Sequence, residues 1–335
     1  MRPDLRVLVV GAGAVGKVLG AHLAAGGAAV SYLVRPSQLD GLRHGFVVYP
    51  LHESQGRRRP IEVPHVDALT TTQAVAARTW DMVVLGVSST ALRRGTWLAV
   101  LGAATGAATV LGIQPGLDDA ALVATHFGVE RVVWGMFGFM SYATDDLGEA
   151  LPRAGIAYYR PPFATLPLGG SKARVDALTK VFAHGGLPSK AHPDVARALA
   201  FGGAVLDLLV VALECAGFRL AALRQDRALL GDAHQAIGEA LTIAASVRGG
   251  RPTAALGWLR PWMIRLVLGA APHLLPFALE PYLRRHYTKV ADQTLAGLEH
   301  YVSLGRHGAF RHDALNRMLA RLQLARTPLQ RRAAS

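Results

Sequence analysis

The chain begins with a short apolar run, residues 5–10 (LRVLVV), broken only by Arg6, and a valine-rich run of that length reads as a strand buried on both faces. After the turn GAGAVG the period changes. Val15, Val18, Leu19, His22 and Leu23 recur at helical spacing to about Ala25, and residues 28–35 (AAVSYLVR) supply the next strand, completing a βαβ unit. Strand patterns return at residues 81–87, 108–113 and 131–140, with helical stretches between them and a hydrophilic loop at residues 52–60 (HESQGRRRP). The alternation predicts an α/β fold whose N-terminal part is a Rossmann-type, doubly wound, mostly parallel sheet. Near Lys190 the strand signals vanish, which predicts an all-helical C-terminal domain. The expected division is therefore 1–189 for the sheet domain, 190–328 for the helical domain and 329–335 for a flexible tail.

Two apolar stretches need a separate reading. Residues 198–217 carry Asp207 and Glu214, and each acid would cost about 2.5 to 3.5 kcal/mol near a bilayer centre. The expectation is a buried helix at a domain or subunit junction, with no stretch long and pure enough to span a membrane. Residues 256–283, with Trp258, Trp262 and several prolines, read as short core helices, the sharper alternatives being a lid over a hydrophobic substrate or an oligomer contact.

Composition narrows the classes further. The 335 residues are 51% hydrophobic, enough for two cores, and the single Cys215 permits no internal disulfide, so a reducing, cytoplasmic setting is expected. The N-terminus is not read as a secretory signal, because Lys17 and three glycines fall inside its apolar stretch. A net charge of +13 comes from scattered arginines, with short clusters at Arg57-Arg58-Arg59, Arg284-Arg285 and Arg331-Arg332 and no interleaved aromatics. That pattern reads as a solvated basic surface and not as a nucleic-acid site. The thirteen histidines show no metal-ligand spacing and no G-x-S-x-G elbow occurs, so neither a metal centre nor the commonest hydrolase site is expected.

The glycine turn carries the clearest chemistry. Gly11, Gly13 and Gly16 occupy the three places of G-x-G-x-x-G, directly after a strand and at the start of a helix, where backbone N–H groups receive a pyrophosphate. The cofactor-binding loop thus comprises Gly11, Ala12, Gly13, Ala14, Val15 and Gly16. An acid at the end of the second strand would select NAD, but SYLVRPS offers none there and places Arg35 where a 2′-phosphate would lie. NADP is the expected cofactor.

With this layout the chain resembles the ketopantoate reductase (2-dehydropantoate 2-reductase) family, through the N-terminal glycine fingerprint, VRPSQLDGLRHGF, DMVVLGVSSTAL and GIQPGLDD. The resemblance implies an NADPH-binding Rossmann domain joined to a helical domain, reducing a 2-keto acid, and it places Ser88 and Gln114 beside the cofactor. It also implies a catalytic lysine on the helix opening the second domain and a late carboxylate. At those positions this chain departs: Val87-Ser88-Ser89-Thr90 replaces V-K-A-Y, Gln114-Pro115-Gly116 replaces Q-N-G, Ala198 stands at the lysine and Gly202 at a following asparagine.

Reduction of a ketone needs a proton donor beside the developing alkoxide. Lys289 is the only lysine well inside the helical domain; in RRHYTKVADQT a continuous helix would put His286, Lys289 and Gln293 on one face with Asp292 adjacent. Alignment with the resembled family brings Asp292 to its late carboxylate. Lys289 or His286 as donor, oriented by Asp292, is the catalytic expectation, with a surface ion pair as the plain alternative. The expected partner is a small carbonyl substrate, with a homodimer as the possible assembly. The competing reading is a non-catalytic NADP(H)-binding sensor or accessory protein.

Overall fold

The computed structural model describes residues 5–53, 59–148, 151–252 and 259–333, with side chains as far as residue 327. Contacts divide the chain into two units, residues 1–196 and 197–335. Lys190, the expected start of the second domain, lies inside strand β12 (Ser189–Ala191), and the division falls six residues later, at Ala196/Arg197.

In the first unit, β1 (Arg6–Val10) is followed by helix Ala14–Ala25 and β2 (Ala29–Leu33), in the predicted order. Both neighbours of β1 are parallel to it. Val7–Val10 pair with Val30–Leu33 of β2 on one side and with Met82–Leu85, which is β6, on the other. The remaining strands of the large sheet are β5 (Asp67–Leu69), β7 (Thr109–Gly112), β8 (Val132–Gly135), β11 (Leu166–Gly169) and β12, in the order β12-β11-β8-β7-β6-β1-β2-β5. Only the β8–β11 pairing is antiparallel. A full ring of apolar neighbours explains the sequence pattern, since Val7, Leu8 and Val9 are completely buried.

A second sheet was not read from the sequence. It comprises β3 (Phe46–Pro50), β4 (Ile61–Val63), β9 (Met140–Ala143) and β10 (Ile156–Tyr159), ordered β4-β3-β10-β9. Residues 131–140, expected as one strand, are divided between the sheets, with Val132–Gly135 in the large one and Met140 opening β9. All four strands of the small sheet contact helix Ala14–Ala25, which is thereby held between two layers. This explains a histidine on its apolar face. His22 is 2% exposed, with Nδ1 2.6 Å from Gly185 O and Nε2 3.0 Å from the Tyr158 hydroxyl of β10. Residues 54–58 of the expected hydrophilic loop lie outside the described residues, and its described parts join β3 to β4.

Among its described residues the second unit contains helices and no strand. Helix Val195–Cys215, which begins two residues before it, has 21 residues and a mean hydropathy of 2.0. By length and composition this helix could cross a membrane, which corrects the expectation that no stretch qualifies; half of its apolar window is buried inside the protein, as for a core helix. Helix Asp313–Ala333 is fastened by three carboxylates. Glu239, 9% exposed, accepts the N–H groups of Ala314 (3.2 Å) and Leu315 (3.0 Å) at its N-terminus, where free donors favour an acid. Asp232 binds Arg317 and Arg321, and Glu214 receives Arg326 through both oxygens at 2.6 and 2.9 Å. Arg326 thus neutralises Glu214. The same helix continues to Ala333, so the segment expected as a tail from residue 329 is helical to that point.

Candidate functional site

Strand order reverses at β1, which has β2 on one side and β6 on the other, and in such sheets ligands bind in the crevice at the C-terminal ends of the two diverging strands. The glycine turn leaves β1 at that place. Gly11 has φ +93°, a left-handed backbone suited to glycine, and its N–H donates to Leu33 O at 2.9 Å, tying the turn to β2. Across the turn, Gly86 N–H donates to Val10 O at 2.8 Å at the end of β6.

The three glycines serve different purposes. A Cβ on Gly16 would lie 2.2 Å from Gly11 O, so close packing of helix against loop requires glycine there. A Cβ on Gly13, by contrast, would meet nothing within 4 Å. The chain itself does not need glycine at that position; the space beside it suits a backbone that must admit a group from outside. Gly13 is also the N-cap of helix Ala14–Ala25, with no side-chain cap and no acid in the first turn. The first internal bond runs from Lys17 N–H to Gly13 O at 2.9 Å, so the N–H groups of Ala14, Val15 and Gly16 precede the helical ladder. Donors without intrahelical partners at the positive end of a helix, beside an open glycine, fit a phosphate group.

Arg35 lies two residues beyond the end of β2, exposed, at the cap of the short turn Pro36–Gln38. No acid precedes it between Ala29 and Val34, so the edge of the crevice carries a cation where a 2′-hydroxyl reader would carry a carboxylate.

Ser88 and Gln114 have local roles. Ser88 caps the turn Ser89–Leu92, its Oγ accepting the N–H of Ala91 at 3.2 Å, and remains partly exposed. Gln114 is turned inward, 2% exposed, with Nε2 donating to Leu85 O (2.7 Å) and Val87 O (2.8 Å) and Oε1 accepting from Ile113 N–H (3.0 Å). Its amide clasps the ends of β6 and β7 together, so its effect on a ligand is through the loop. Beside it stands a group that the sequence reading did not single out. Asp119, fully buried, accepts Ser89 Oγ–H at 2.6 Å and Gly116 N–H at 2.8 Å and pairs with Arg93, which also binds Asp118. This network fixes both loops that border the crevice beyond β6 and β7. Its only sequence trace is the short polar spacing between Ser89, Arg93 and the Asp118-Asp119 pair.

The expected catalytic residues lie in the second unit, which is described on its own terms. The single helix expected through residues 284–294 is broken. Helix Leu279–Lys289 ends at Lys289, Val290 has φ −117° and ψ 26°, and helix Ala291–His307 begins after it. Lys289 therefore closes one helix and Asp292 stands in the first turn of the next, with its Oδ1 accepting Gln293 N–H at 2.9 Å. Two oppositely charged groups at the favourable ends of two helices are each stabilised by the local dipole. His286 is stacked on Tyr282 at 5.4 Å between centroids and stands edge-on to Tyr287 at 4.9 Å. Burial, helped by the nearby Lys289 charge, lowers its pKa below the usual imidazole value, so the ring is neutral at pH 7. Burial raises the hydroxyl pKa values of Tyr287 and Tyr301, and the charge of Asp207 adds to both shifts. Asp207 thus faces this aromatic group, and its Oδ2 is 3.8 Å from where a Cβ on Gly297 would be.

Two further features complete the unit. Cys215 is half-buried and its thiol is pushed up to about 11, chiefly by burial, so it is an unreactive thiol. Two adjoining depressions run along helix Arg227–Arg248, a polar one of about 470 Å³ at Gln235, Thr242 and Arg311, and an apolar one of about 340 Å³ at Ile237, Leu241 and Leu259.

Comparison with known proteins places this geometry. Residues 7–147 match the family model described as ketopantoate reductase PanE/ApbA. Nothing among curated protein sequences matches. Among solved structures, 2-dehydropantoate 2-reductase from Geobacter metallireducens superposes with a TM-score of 0.70 at 18% identity, covering 96% of this chain and 100% of that one. A PanE/ApbA family ketopantoate reductase from Ralstonia eutropha gives 0.71 at 17% identity, with 97% and 99% covered. D-mandelate dehydrogenase, solved with NADH and anilino(oxo)acetate, gives 0.71 at 12% identity over 97% and 99%. The chain has the fold of these proteins over nearly its whole length, and its residues 7–147 match the ketopantoate reductase family model.

Proposed function

We propose that this chain is an NADP(H)-dependent oxidoreductase that reduces a 2-keto acid or a related carbonyl compound. The observation that carries the reading is the crevice at the switch point of the large sheet. There the first-turn N–H groups of helix Ala14–Ala25 meet the open side of Gly13, with the Arg35 cation at the neighbouring strand end. Gly11, Ala12, Gly13, Ala14, Val15 and Gly16 would hold the pyrophosphate, and Arg35 the 2′-phosphate. Ser88 borders the same crevice, and Gln114 sets the shape of its floor. When bound, the dinucleotide supplies the hydride.

The chain's own residues must then supply a proton at the carbonyl oxygen. His286 is held neutral by burial and by Lys289, which suits it to hydrogen bonding more than to acid catalysis. Lys289 is accordingly the first choice of donor, with Asp292 as the group that orients it. This assignment is supported by the absence of a lysine at residue 198, where the resembled family carries one, and by the polar grouping at the junction of two helices.

A second reading, an NADP(H)-binding sensor without turnover, is favoured by Ala198 and Gly202 at those two positions. One experiment separates the two. NADPH oxidation is followed with a panel of 2-keto acids, ketopantoate and aryl glyoxylates included, for the wild type and Lys289→Ala. Turnover that Lys289→Ala abolishes while NADPH affinity is kept supports the enzyme and its donor. Saturable NADPH binding with no turnover on any carbonyl compound supports the sensor.

A further inference from the structure

Among the described residues, helix Pro261–Leu274 in the second unit is packed on one side only. Ile264 and Leu268 are its buried residues, while Trp262, Leu266, Val267 and Leu274 are 64%, 63%, 62% and 71% exposed. At 100° per residue these four span an arc of about 140° from Trp262 through Leu266 and Leu274 to Val267, with Leu266 directly opposite the buried pair and Val267 on the flank nearer Ile264. The helix is therefore largely apolar on its outward face as well as its inward one, with His273 the polar side chain of the outward arc, and an outward apolar face of this kind marks a contact surface.

Charge decides what the contact is with. Between residues 259 and 289 the only carboxylate is Glu280, whose Oε1 accepts Leu220 N–H at 2.7 Å, against Arg260, Arg265, Arg284, Arg285 and Lys289. Arg260 is the N-cap of the helix and Arg265 lies on its flank; both are exposed. On the side of Gly269, the Arg224 guanidinium is 3.1 Å from where a Cβ would be. A second copy packed on this face would crowd Arg260 and Arg265 of both chains around one apolar contact, on a protein that already carries +13, and like charges brought together oppose association. An anionic lipid surface neutralises them. The geometry of the helix agrees. Fourteen residues span about 21 Å, short of a hydrocarbon core of about 30 Å, and the next helix turns away by 105°, so the pair does not form one straight span.

We infer that helix Pro261–Leu274 lies in the plane of an anionic membrane surface, with Trp262, Leu266, Val267 and Leu274 in the acyl boundary and Arg260 and Arg265 at the phosphate level. Tryptophan at the end of such a helix and arginines on its rim are the residues that an interface accepts. The inference stands on the second unit alone and does not depend on the oxidoreductase reading.

The test is flotation of the purified full chain with vesicles of phosphatidylcholine alone and of phosphatidylcholine with phosphatidylglycerol, at low and high salt. The protein is expected to float with the phosphatidylglycerol vesicles only, and to be released by salt. Arg265→Gln is expected to weaken binding about fivefold. Leu266→Gln, at an exposed position whose folding is checked by circular dichroism, is expected to weaken it further. The blue shift of tryptophan emission on binding is expected to be lost in Trp262→Phe. No flotation with phosphatidylglycerol, or equal flotation of wild type and Leu266→Gln, overturns the inference. Conversion of a wild-type dimer to a monomer by Leu266→Gln, with vesicle binding unchanged, also overturns it and assigns the face to a subunit contact.

Discussion

Gly13 and Gly16 differ by three positions and by one physical requirement, so alanine at each separates ligand binding from folding. In Gly16→Ala the new Cβ lies 2.2 Å from Gly11 O, a backbone atom that cannot rotate away. Relief requires the helix to move off the turn, at a cost at or above the usual overpacking range of about 1 to 3 kcal/mol. At about 2 to 4 °C per kcal/mol for a domain of this size, Tm should fall by about 5 °C or more. In Gly13→Ala the Cβ meets nothing within 4 Å, and the change costs at most the difference between glycine and alanine at an N-cap, under about 1 kcal/mol. Its Tm should stay within about 3 °C of the wild type. The same methyl would occupy the open side of Gly13, where the proposed pyrophosphate would approach, so NADPH affinity should fall at least about tenfold, or 1.4 kcal/mol. Thermal melts by circular dichroism and NADPH titration by fluorescence measure both quantities on the same samples. Wild-type NADPH affinity in Gly13→Ala would refute the placement of the cofactor.

Other perturbations give equally definite outcomes. Arg35→Ala should reduce the preference for NADPH over NADH with little change in NADH affinity, read from the two dissociation constants. Asp119→Ala removes the buried partner of Ser89, Gly116 N–H and Arg93 and should destabilise the first unit by about 3 to 5 kcal/mol, measured by urea unfolding. Arg326→Ala leaves Glu214 without its bidentate partner and should cost more than the Glu214→Gln/Arg326→Ala double change, which a double-mutant cycle reports. His22 has its pKa lowered, chiefly by burial, so the unfolded chain binds the extra proton first. Stability should therefore be full above the ordinary imidazole value of about 6.5 and decline as pH falls below it toward the folded-state value. A Tm profile from pH 7.5 to 5 that is as steep in His22→Asn as in the wild type would contradict this.

The parts of the fold legible in the sequence are those whose determinants are local. The change from a strand run to helical spacing at Ala14, with the glycine turn between, fixes β1, the helix and β2 within a few residues. The small sheet is hard to read because its strands are three to five residues long and its central pairing joins distant segments, Val48 to Ile156. Residues 131–140 look like one strand because an apolar run does not reveal that its two halves belong to different sheets. The break at Val290 carries no glycine or proline, so the expected face of His286, Lys289 and Gln293 was built on a helix that stops in the middle. The motif around Gln114 does not tell which way its amide points; its hydrogen bonds show that it faces inward. The exposed face of helix Pro261–Leu274 was hidden for a similar reason, since apolar residues on both sides of a helix read alike until packing chooses one.

The most direct test of the central claim is calorimetric titration of the wild-type protein with NADPH and, in parallel, with NADH. One saturable site for NADPH is expected, with NADH bound at least about tenfold more weakly, a difference of about 1.4 kcal/mol assigned to Arg35. Absence of saturable binding by either nucleotide, or equal binding of both, would contradict that claim.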